Sequence, residues 1–212
     1  MRIRLTFAKQ GALRYTGNLD LHTLWERAAR RASLPLAYTQ GFHPQPKINL
    51  ASALPLGFSS RAEVMDIWLN EERDLSNIRT DLQAALPLDL PILNIEQVDD
   101  RAPALQTQVV SAEYEVTLTE SVSDLTSRLA ALWEASSLPR ERRGKPYNLR
   151  PLIESIEAAP AEGSGKMRLL MRLAAREGAT GRPEEVLAAL DIPVEFARVE
   201  RTRLIFQDKS VK

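Results

Sequence analysis

A seventeen-residue segment in the first third of the chain strongly restricts its own backbone. Gly41, Pro44, Pro46, Pro55 and Gly57 all lie in it, around a short apolar stretch. Each proline fixes its own φ and pushes the preceding residue toward an extended conformation, while the glycines permit backbone angles closed to other residues. The pattern predicts a rigid, shaped loop, and loops held on a scaffold often carry binding residues. The side chains that this loop is expected to present are Phe42, His43, Gln45 and Lys47.

The composition is typical of a soluble globular protein with one large domain or two domains of about 100 residues each. Of the 212 residues, 44% are hydrophobic and 26% are charged. No apolar run approaches the roughly 20 residues that a membrane-spanning helix needs. The N-terminus leads directly into a predicted strand at Arg2–Phe7. We therefore expect no signal peptide and a cytoplasmic location.

Cysteine is absent from the sequence, and this excludes several kinds of site. Without thiols the chain has no disulfides, no thiolate metal ligands, no iron–sulfur ligation and no cysteine nucleophile. The two histidines, His22 and His43, have no cluster of carboxylates near them in the sequence. We therefore expect neither a bound metal nor a cofactor.

Charge is unevenly distributed along a chain whose net charge is zero. Residues 1–60 hold eight Lys/Arg and two Asp/Glu, and residues 135–212 hold fifteen Lys/Arg and eleven Asp/Glu. Residues 61–134, in contrast, hold five Lys/Arg and fifteen Asp/Glu. The basic first and last parts indicate local surfaces that can meet an anion. The alternative is that the acidic middle part folds against the basic parts and neutralises them.

Hydrophobic periodicity in the first half predicts the order strand, helix, strand, strand, helix, strand. Ile3, Leu5 and Phe7 alternate with polar residues, as in a half-buried strand. A helix is expected from a cap at Asn18 or Asp20 to residue 33. The other predicted elements are short strands near 36–39 and 47–52, a strand at 63–69, a helix at 75–86 and a strand at 92–98. This order is the split βαβ plan of ferredoxin-like domains.

A second round of the same order is predicted after residue 111. Its strands are expected at 113–119 and near 149–157, 166–175 and 194–206, and its helices near 125–133 and 183–190. We therefore predict an α+β fold of two tandem ferredoxin-like halves with antiparallel sheets. The predicted domains are 1–98, which carries the Gly/Pro loop, and 112–212, with a linker at 99–111.

Basic residues cluster at two places in the sequence. Arg27, Arg30 and Arg31 have the i, i+3, i+4 spacing that places side chains on one helix face. Residues 140–150 form a predicted turn with five positive residues and one negative residue. Arginine binds phosphate in a bidentate manner, and a nearby aromatic ring can stack on a base. The candidate RNA-binding residues are Lys9, Arg14, Tyr15, Arg27, Arg30, Arg31, Phe42, His43, Lys47, Arg142, Arg143, Lys145 and Tyr147. The alternative is that these cations form solvated surfaces paired with acidic neighbours.

Three other residues have more specific expectations. His22 lies beside apolar helix positions, which favours a partly buried structural imidazole. His43, with Lys47 and a tyrosine, has the residue types for general acid–base cleavage of RNA at the 2′-hydroxyl. A loop histidine bound to backbone or ligand is the alternative, and no catalytic residue is assigned. Arg150 precedes an apolar strand and is expected to be structural.

Four stretches together resemble a known family: Tyr15-Thr-Gly-Asn-Leu-Asp20, Arg27 to Pro35 with its arginines, Gly41-Phe-His-Pro-Gln-Pro-Lys47, and Leu54-Pro-Leu-Gly57. The family is the radical-SAM-linked domain of unknown function, and this chain is similar to its standalone form. Members are fused to the C-terminus of a radical SAM protein or encoded beside one. The resemblance covers most of the chain, most tightly residues 4–69. It implies work alongside a radical SAM enzyme whose iron–sulfur cluster is ligated elsewhere.

The chain departs from the family pattern at two positions. Members often have Ser-His-Leu-Asp where this chain has Gly17 to Asp20, and Asn-Pro-His-Pro-Lys where it has His43 to Lys47. A histidine that changes position within the loop favours binding over catalysis.

The function that we favour from the sequence is that of a non-catalytic RNA-binding accessory protein. It would work with a radical SAM protein in the modification of tRNA or ribosomal RNA. One alternative is a metal-independent endoribonuclease resembling the CRISPR repeat-processing enzymes. A second alternative is a module that docks the radical SAM partner without touching nucleic acid.

Overall fold

The computed structural model describes residues 1–161 and 165–207. It is a mixed α+β protein with mostly antiparallel strands and few helices. The chain forms two compact units, Met1–Gln108 and Val109–Lys212. Within the described ranges, no helix has the length and apolar character needed to span a membrane.

The first unit is an antiparallel sheet with two main helices. Its strands are β1 (Arg2–Lys9), β2 (Ile48–Leu50), β3 (Ser59–Trp68) and β4 (Ile92–Val98), and its helices are α1 (Asn18–Arg31), α2 (Leu75–Ala85) and the short α3 (Leu105–Gln108). A 3-10 turn at Gly11–Tyr15 connects β1 to α1. The strands pair in the order β4-β1-β3-β2, and every pair is antiparallel.

The core of the first unit follows from the two periodicities of its sequence. Ile3, Leu5 and Phe7 are fully buried, as the alternation in β1 predicts. Trp25 on α1 is also fully buried, and its ring meets that of Phe7 edge-on with the centroids 4.8 Å apart. This geometry is one that aromatic pairs prefer. Ile78 on α2 is buried in the same core, so both helices are held against the sheet by apolar contacts.

An ion cluster is buried on the strands of the first unit. Asp66 on β3 is fully buried and accepts bonds from Arg2 (Nη2 to Oδ2, 2.6 Å) and Arg4 (Nε to Oδ1, 2.8 Å). Arg2 also donates to the carbonyl oxygens of Ala102 (2.7 Å) and Pro103 (3.0 Å). The segment after β4 is therefore fastened to the strands by the guanidinium of Arg2.

The second unit repeats the connectivity of the first. Its strands are β5 (Val109–Leu118), β6 (Pro139–Arg142), β7 (Lys145–Asn148), β8 (Ile153–Pro160), β9 (Met167–Arg176), β10 (Ala179–Thr180) and β11 (Ala197–Phe206), and its helices are α4 (Leu125–Glu134) and α5 (Pro183–Ala189). Turns of 3-10 helix lie at Arg150–Leu152 and Val194–Phe196. Its main strands pair antiparallel in the order β11-β5-β9-β8, and β10 pairs with the end of β9.

Several predicted elements differ from the structure. The expected linker at 99–111 contains α3 and the start of β5, and the division between the units falls inside it. The expected strand near 36–39 is reduced to isolated bridges at Leu36 and Tyr38, because prolines on both sides interrupt its pairing. The basic turn in the 140s is a two-stranded hairpin, β6–β7, which its charged composition did not suggest.

Candidate nucleic-acid interface

The arginine face of the first unit, formed by Arg27, Arg30 and Arg31, lies on the exposed side of α1. Arg30 is paired with Glu26 one turn earlier, with Nη2 and Oε1 2.7 Å apart. Arg27 and Arg31 make no hydrogen bond or ion pair with any residue that the structure describes. Two of the three guanidinium groups are therefore available to an anion.

A groove of about 400 Å³ runs along the arginine face in the first unit. Arg27 and Arg31 line it from α1, and Ala85 and Pro87 line it from the end of α2. Asp20 contributes one carboxylate to the same groove. The groove therefore has a small positive charge, less than the arginine spacing alone suggests.

The cations before α1 are placed differently from one another. Lys9 is buried, and its Nζ donates to the carbonyl oxygen of Thr16 at 2.8 Å. Its ammonium is occupied inside the unit, so we leave Lys9 out of the proposed interface. Arg14 lies over the ring of Tyr15, with 4.9 Å from its Cζ to the ring centroid. Tyr15 is 66% exposed and remains accessible for stacking.

The Gly/Pro loop projects an exposed tip. Thr39 N donates to the carbonyl oxygen of Gln45 at 2.8 Å, which closes the loop at its base. Gly41 has φ +132°, a conformation that L side chains rarely adopt, so glycine is required there. Phe42 is fully exposed, and His43 and Lys47 are exposed as well. The loop thus presents an aromatic ring, an imidazole and an ammonium to solvent.

The basic hairpin β6–β7 turns at Arg143 and Gly144. Both residues have positive φ, +52° and +75°. Two successive positive φ values are the signature of the type I′ turn, which matches the twist of paired strands. Asn or Gly is the usual first residue of such a turn, so the arginine occupies a position that its backbone does not favour. The turn places Arg143 at the exposed tip of the hairpin.

A hydrogen-bonded network joins the hairpin to α5. Arg142 Nη2 donates to both carboxylate oxygens of Glu185, at 3.1 and 2.9 Å, and to the carbonyl oxygen of Thr180 at 3.1 Å. The Tyr147 hydroxyl donates to Glu185 Oε2. Burial and the hydrogen bond to Glu185 raise the pKa of Tyr147. Burial lowers the pKa of Arg142, but the hydrogen bond and charge of Glu185 more than reverse this, so both groups remain protonated.

Four cations surround one cavity in the second unit, which we name the basic pocket. It has a volume of about 470 Å³. Its lining includes Arg142, Arg143, Lys145, Tyr147, Thr180 and Arg182. Arg143 and Lys145 are exposed and have no acidic partner among residues 1–161 and 165–207. Within the described residues, the basic pocket therefore holds four cations, of which Arg143 and Lys145 have no acidic partner.

Sequence reasoning missed three residues of this region. Thr180 and Arg182 line the basic pocket, and Glu185 accepts the bonds of Arg142. They lie about forty residues after the hairpin, and only the packing of the second unit brings them to it. The run Gly181-Arg182-Pro183 was the available signal, because proline is common at the first position of a helix.

The other specific expectations can be placed as well. His22 is half-buried, and its Nε2 lies 3.2 Å from the carbonyl oxygen of Ile48. Arg150 is half-buried with its Cζ 4.3 Å from the centroid of the Trp133 ring. Both residues make the kind of intramolecular contact expected of structural side chains.

Three solved structures match this chain in part. In a Cbf5–Nop10–Gar1 complex the matching chain is 12% identical with a TM-score of 0.49, over 98% of this chain and 50% of that chain. In an H/ACA RNP bound to a substrate RNA containing 2′-deoxyuridine, the matching chain is 13% identical with a TM-score of 0.47, over 99% of this chain and 50% of that chain. In the archaeal box H/ACA sRNP Nop10–Cbf5 complex, the matching chain is 13% identical with a TM-score of 0.45, over 99% of this chain and 50% of that chain. This chain spans about half the length of the solved chains it matches.

No curated protein matches the sequence. A family profile does, over residues 2–183. The chain belongs to DUF2344, a family described as an uncharacterized protein conserved in bacteria.

Proposed function

We propose that this protein binds single-stranded RNA without cleaving it, as an accessory to a radical SAM enzyme that modifies tRNA or ribosomal RNA. One observation carries the RNA part of the proposal. Arg143 and Lys145 line the basic pocket beside the Tyr147 ring, and neither has an acidic partner in the ranges that the structure describes. Cations that track a phosphate backbone and an aromatic ring that stacks on bases are the common parts of single-strand binding sites.

The first unit adds a second group of contacts to the proposal. Arg27 and Arg31 offer two guanidinium groups that have no partner within residues 1–161 and 165–207, and Phe42 and Tyr15 offer exposed rings. Planar guanidinium groups bind phosphate in a bidentate manner. Bases from an unpaired strand stack on aromatic side chains with little regard to sequence. We therefore expect binding that depends on salt and is tolerant of sequence.

We further propose that each unit is a ferredoxin-like domain. The order β4-β1-β3-β2 in the first unit and the order β11-β5-β9-β8 in the second support this assignment. In both units a helix follows the first main strand and another precedes the last. That is the split βαβ arrangement.

The link to a radical SAM enzyme rests on the four motif stretches described above. Since the sequence contains no cysteine, the cluster of such an enzyme would be held by the partner's thiolates. In this arrangement the present chain supplies RNA contacts and the partner supplies the chemistry. Work on RNA beside such an enzyme also accords with a cytoplasmic location.

A crosslinking experiment on the full chain tests the RNA proposal. A short single-stranded RNA containing 4-thiouridine is crosslinked to the purified protein, and the crosslinked peptides are identified by mass spectrometry. We expect crosslinks at Tyr147 and at the exposed rings of the first unit. Absence of crosslinks, or crosslinks confined to other surfaces, would contradict the proposal. Shortened RNA in the wild type and intact RNA with His43→Ala would indicate the endoribonuclease instead.

The partner proposal needs a separate experiment. The chain is purified under mild conditions from its native cells, with and without ribonuclease treatment, and the co-purifying proteins are identified. We expect an iron–sulfur radical SAM protein together with RNA. A radical SAM protein recovered without any RNA would support the docking module and count against RNA binding.

A further inference from the structure

The charges around the basic pocket do not cancel. Arg142 is paired with Glu185 at 2.9 Å, and Arg182 has Glu184 at 3.7 Å. Arg143 and Lys145 have no acidic partner in the described part of the chain. Two positive charges are therefore left over, on two residues separated only by Gly144. A ligand group with close to two negative charges would balance them.

We infer that the basic pocket is a subsite for the terminal phosphate monoester of an RNA strand. This inference rests on the proposed RNA binding and assigns one end of the strand to the second unit. A phosphate monoester carries nearly two negative charges at neutral pH and three strong acceptor oxygens. An internal phosphodiester carries one charge. The unneutralised pair Arg143 and Lys145 thus matches the terminal group better than the internal one.

The size and lining of the basic pocket suit a terminal nucleotide. A volume of about 470 Å³ lies within the range of small-ligand sites. Pro146 and Leu152 contribute apolar surface, and Tyr147 contributes a ring. The terminal base can use this surface while its phosphate meets the cations.

The hairpin is held in place before any ligand arrives. Arg142 is anchored through Glu185 and Thr180, and the pairing of Arg142 with Lys145 closes the two-residue turn. A site whose backbone is already ordered loses less entropy on binding. The paired arginine therefore acts as a support, and the two unpaired cations are the ligand-binding groups.

Either end of an RNA strand can carry a phosphate monoester, so the test compares both ends. Three single-stranded RNAs of one sequence are used: one with hydroxyl ends, one with a 5′-phosphate and one with a 3′-phosphate. Their affinities for the full chain are measured by fluorescence anisotropy at fixed salt. We expect one of the phosphorylated RNAs to bind about tenfold more tightly than the hydroxyl RNA, the difference that 1.4 kcal/mol produces.

The variant that tests the subsite is the double substitution Arg143→Asn and Lys145→Gln. Asparagine tolerates the positive φ at position 143 and so preserves the turn. We expect this variant to fold with a Tm no lower than that of the wild type, because Asn suits the positive φ at position 143 better than Arg does, and to bind all three RNAs equally. Arg140→Ala is the matched control, because Arg140 lies on the same hairpin but does not line the basic pocket. This control should retain the preference for the phosphorylated end.

The outcomes separate the inference from the proposed function. Equal affinity of the wild type for all three RNAs would overturn the inference and leave RNA binding standing. A preference that persists in the double variant would also overturn it, since the phosphate would then bind elsewhere. Failure of the wild type to bind any of the RNAs would overturn both.

Discussion

Arg142 and Glu185 form a two-pronged contact in which Nη2 lies 3.1 Å from one carboxylate oxygen and 2.9 Å from the other. The contact joins the basic hairpin to α5, about forty residues later in the chain. The Arg142 and Glu185 side chains are 29% and 17% exposed. Water therefore screens their charges and reduces the stability that the ion pair contributes. The pair nevertheless decides which cations of the pocket remain free.

Replacing Glu185 with Gln should lower the free energy of unfolding by about 1 kcal/mol, because Arg142 loses a charge-assisted acceptor. The hairpin should then open more often, and its amide hydrogens should exchange faster. Thermal unfolding and hydrogen exchange of β6 and β7 measure both effects. Unchanged exchange in the hairpin would mean that the contact does not hold it.

Replacing Glu184, the neighbour of Glu185, with Gln should have the opposite effect and stabilise the folded protein at neutral pH. Burial raises its pKa, although Arg182 opposes the shift. The folded state therefore binds a proton on Glu184 more tightly than the unfolded state does. The stability that protonation of Glu184 adds is fully present below the pKa of Glu184 in the unfolded state. It is lost as pH rises through the pKa of Glu184 in the folded state.

Glu184→Gln should consequently raise Tm relative to the wild type at neutral pH, with the difference shrinking in acid. Melting curves recorded between acidic and neutral pH test this. A difference in Tm that does not vary with pH would show that desolvation of Glu184 is not its cause.

Asp66 should be among the most sensitive positions in the first unit. It is fully buried and accepts bonds from Arg2 and Arg4. Asp66→Asn leaves a buried guanidinium without its counter-charge, and breaking such a pair costs about 3–5 kcal/mol. Asp81→Asn should cost less than about 1 kcal/mol, since the Arg73–Asp81 pair is partly exposed, with 31% and 42% of the side chains accessible. Denaturant unfolding measures the free energy of unfolding of both variants. Equal losses for Asp66→Asn and Asp81→Asn would contradict this prediction.

The three arginines of α1 should contribute unequally to RNA binding. Arg30 already has Glu26 as a partner, whereas Arg27 and Arg31 have none in the described chain. Arg27→Gln and Arg31→Gln should each reduce the slope of log affinity against log salt by about 0.7, the value for one phosphate contact on a single strand. Arg30→Gln should reduce it less. Equal reductions in salt titrations of all three variants would argue against this distinction.

Local patterns in the sequence predicted much of the secondary structure. The alternation of Ile3, Leu5 and Phe7 and the helical spacing around Trp25 are confined to single elements, and their buried faces follow directly. The predicted antiparallel, mixed α+β character is found in both units. The assignment of each unit to the ferredoxin-like class remains a proposal.

Long-range packing limited what the sequence could predict about the site. Lys9 sits in a basic stretch, yet it is buried, and its ammonium donates a hydrogen bond to the carbonyl oxygen of Thr16 after the chain turns back. Arg142 looks like its neighbours in sequence, but Glu185 pairs with it through the tertiary fold. Charge composition predicts which segments are rich in cations, whereas the tertiary fold determines which of those cations are paired with a carboxylate.

The salt dependence of RNA binding tests the central proposal most directly. For about four neutralised phosphates, log affinity of the wild type for single-stranded RNA should fall with log salt at a slope of about −2.8. The Arg143→Asn, Lys145→Gln variant should give a slope of about −1.4, because two of the cations that neutralise phosphate charge are removed. A flat salt response, or the same slope in both proteins, would contradict the proposed interface.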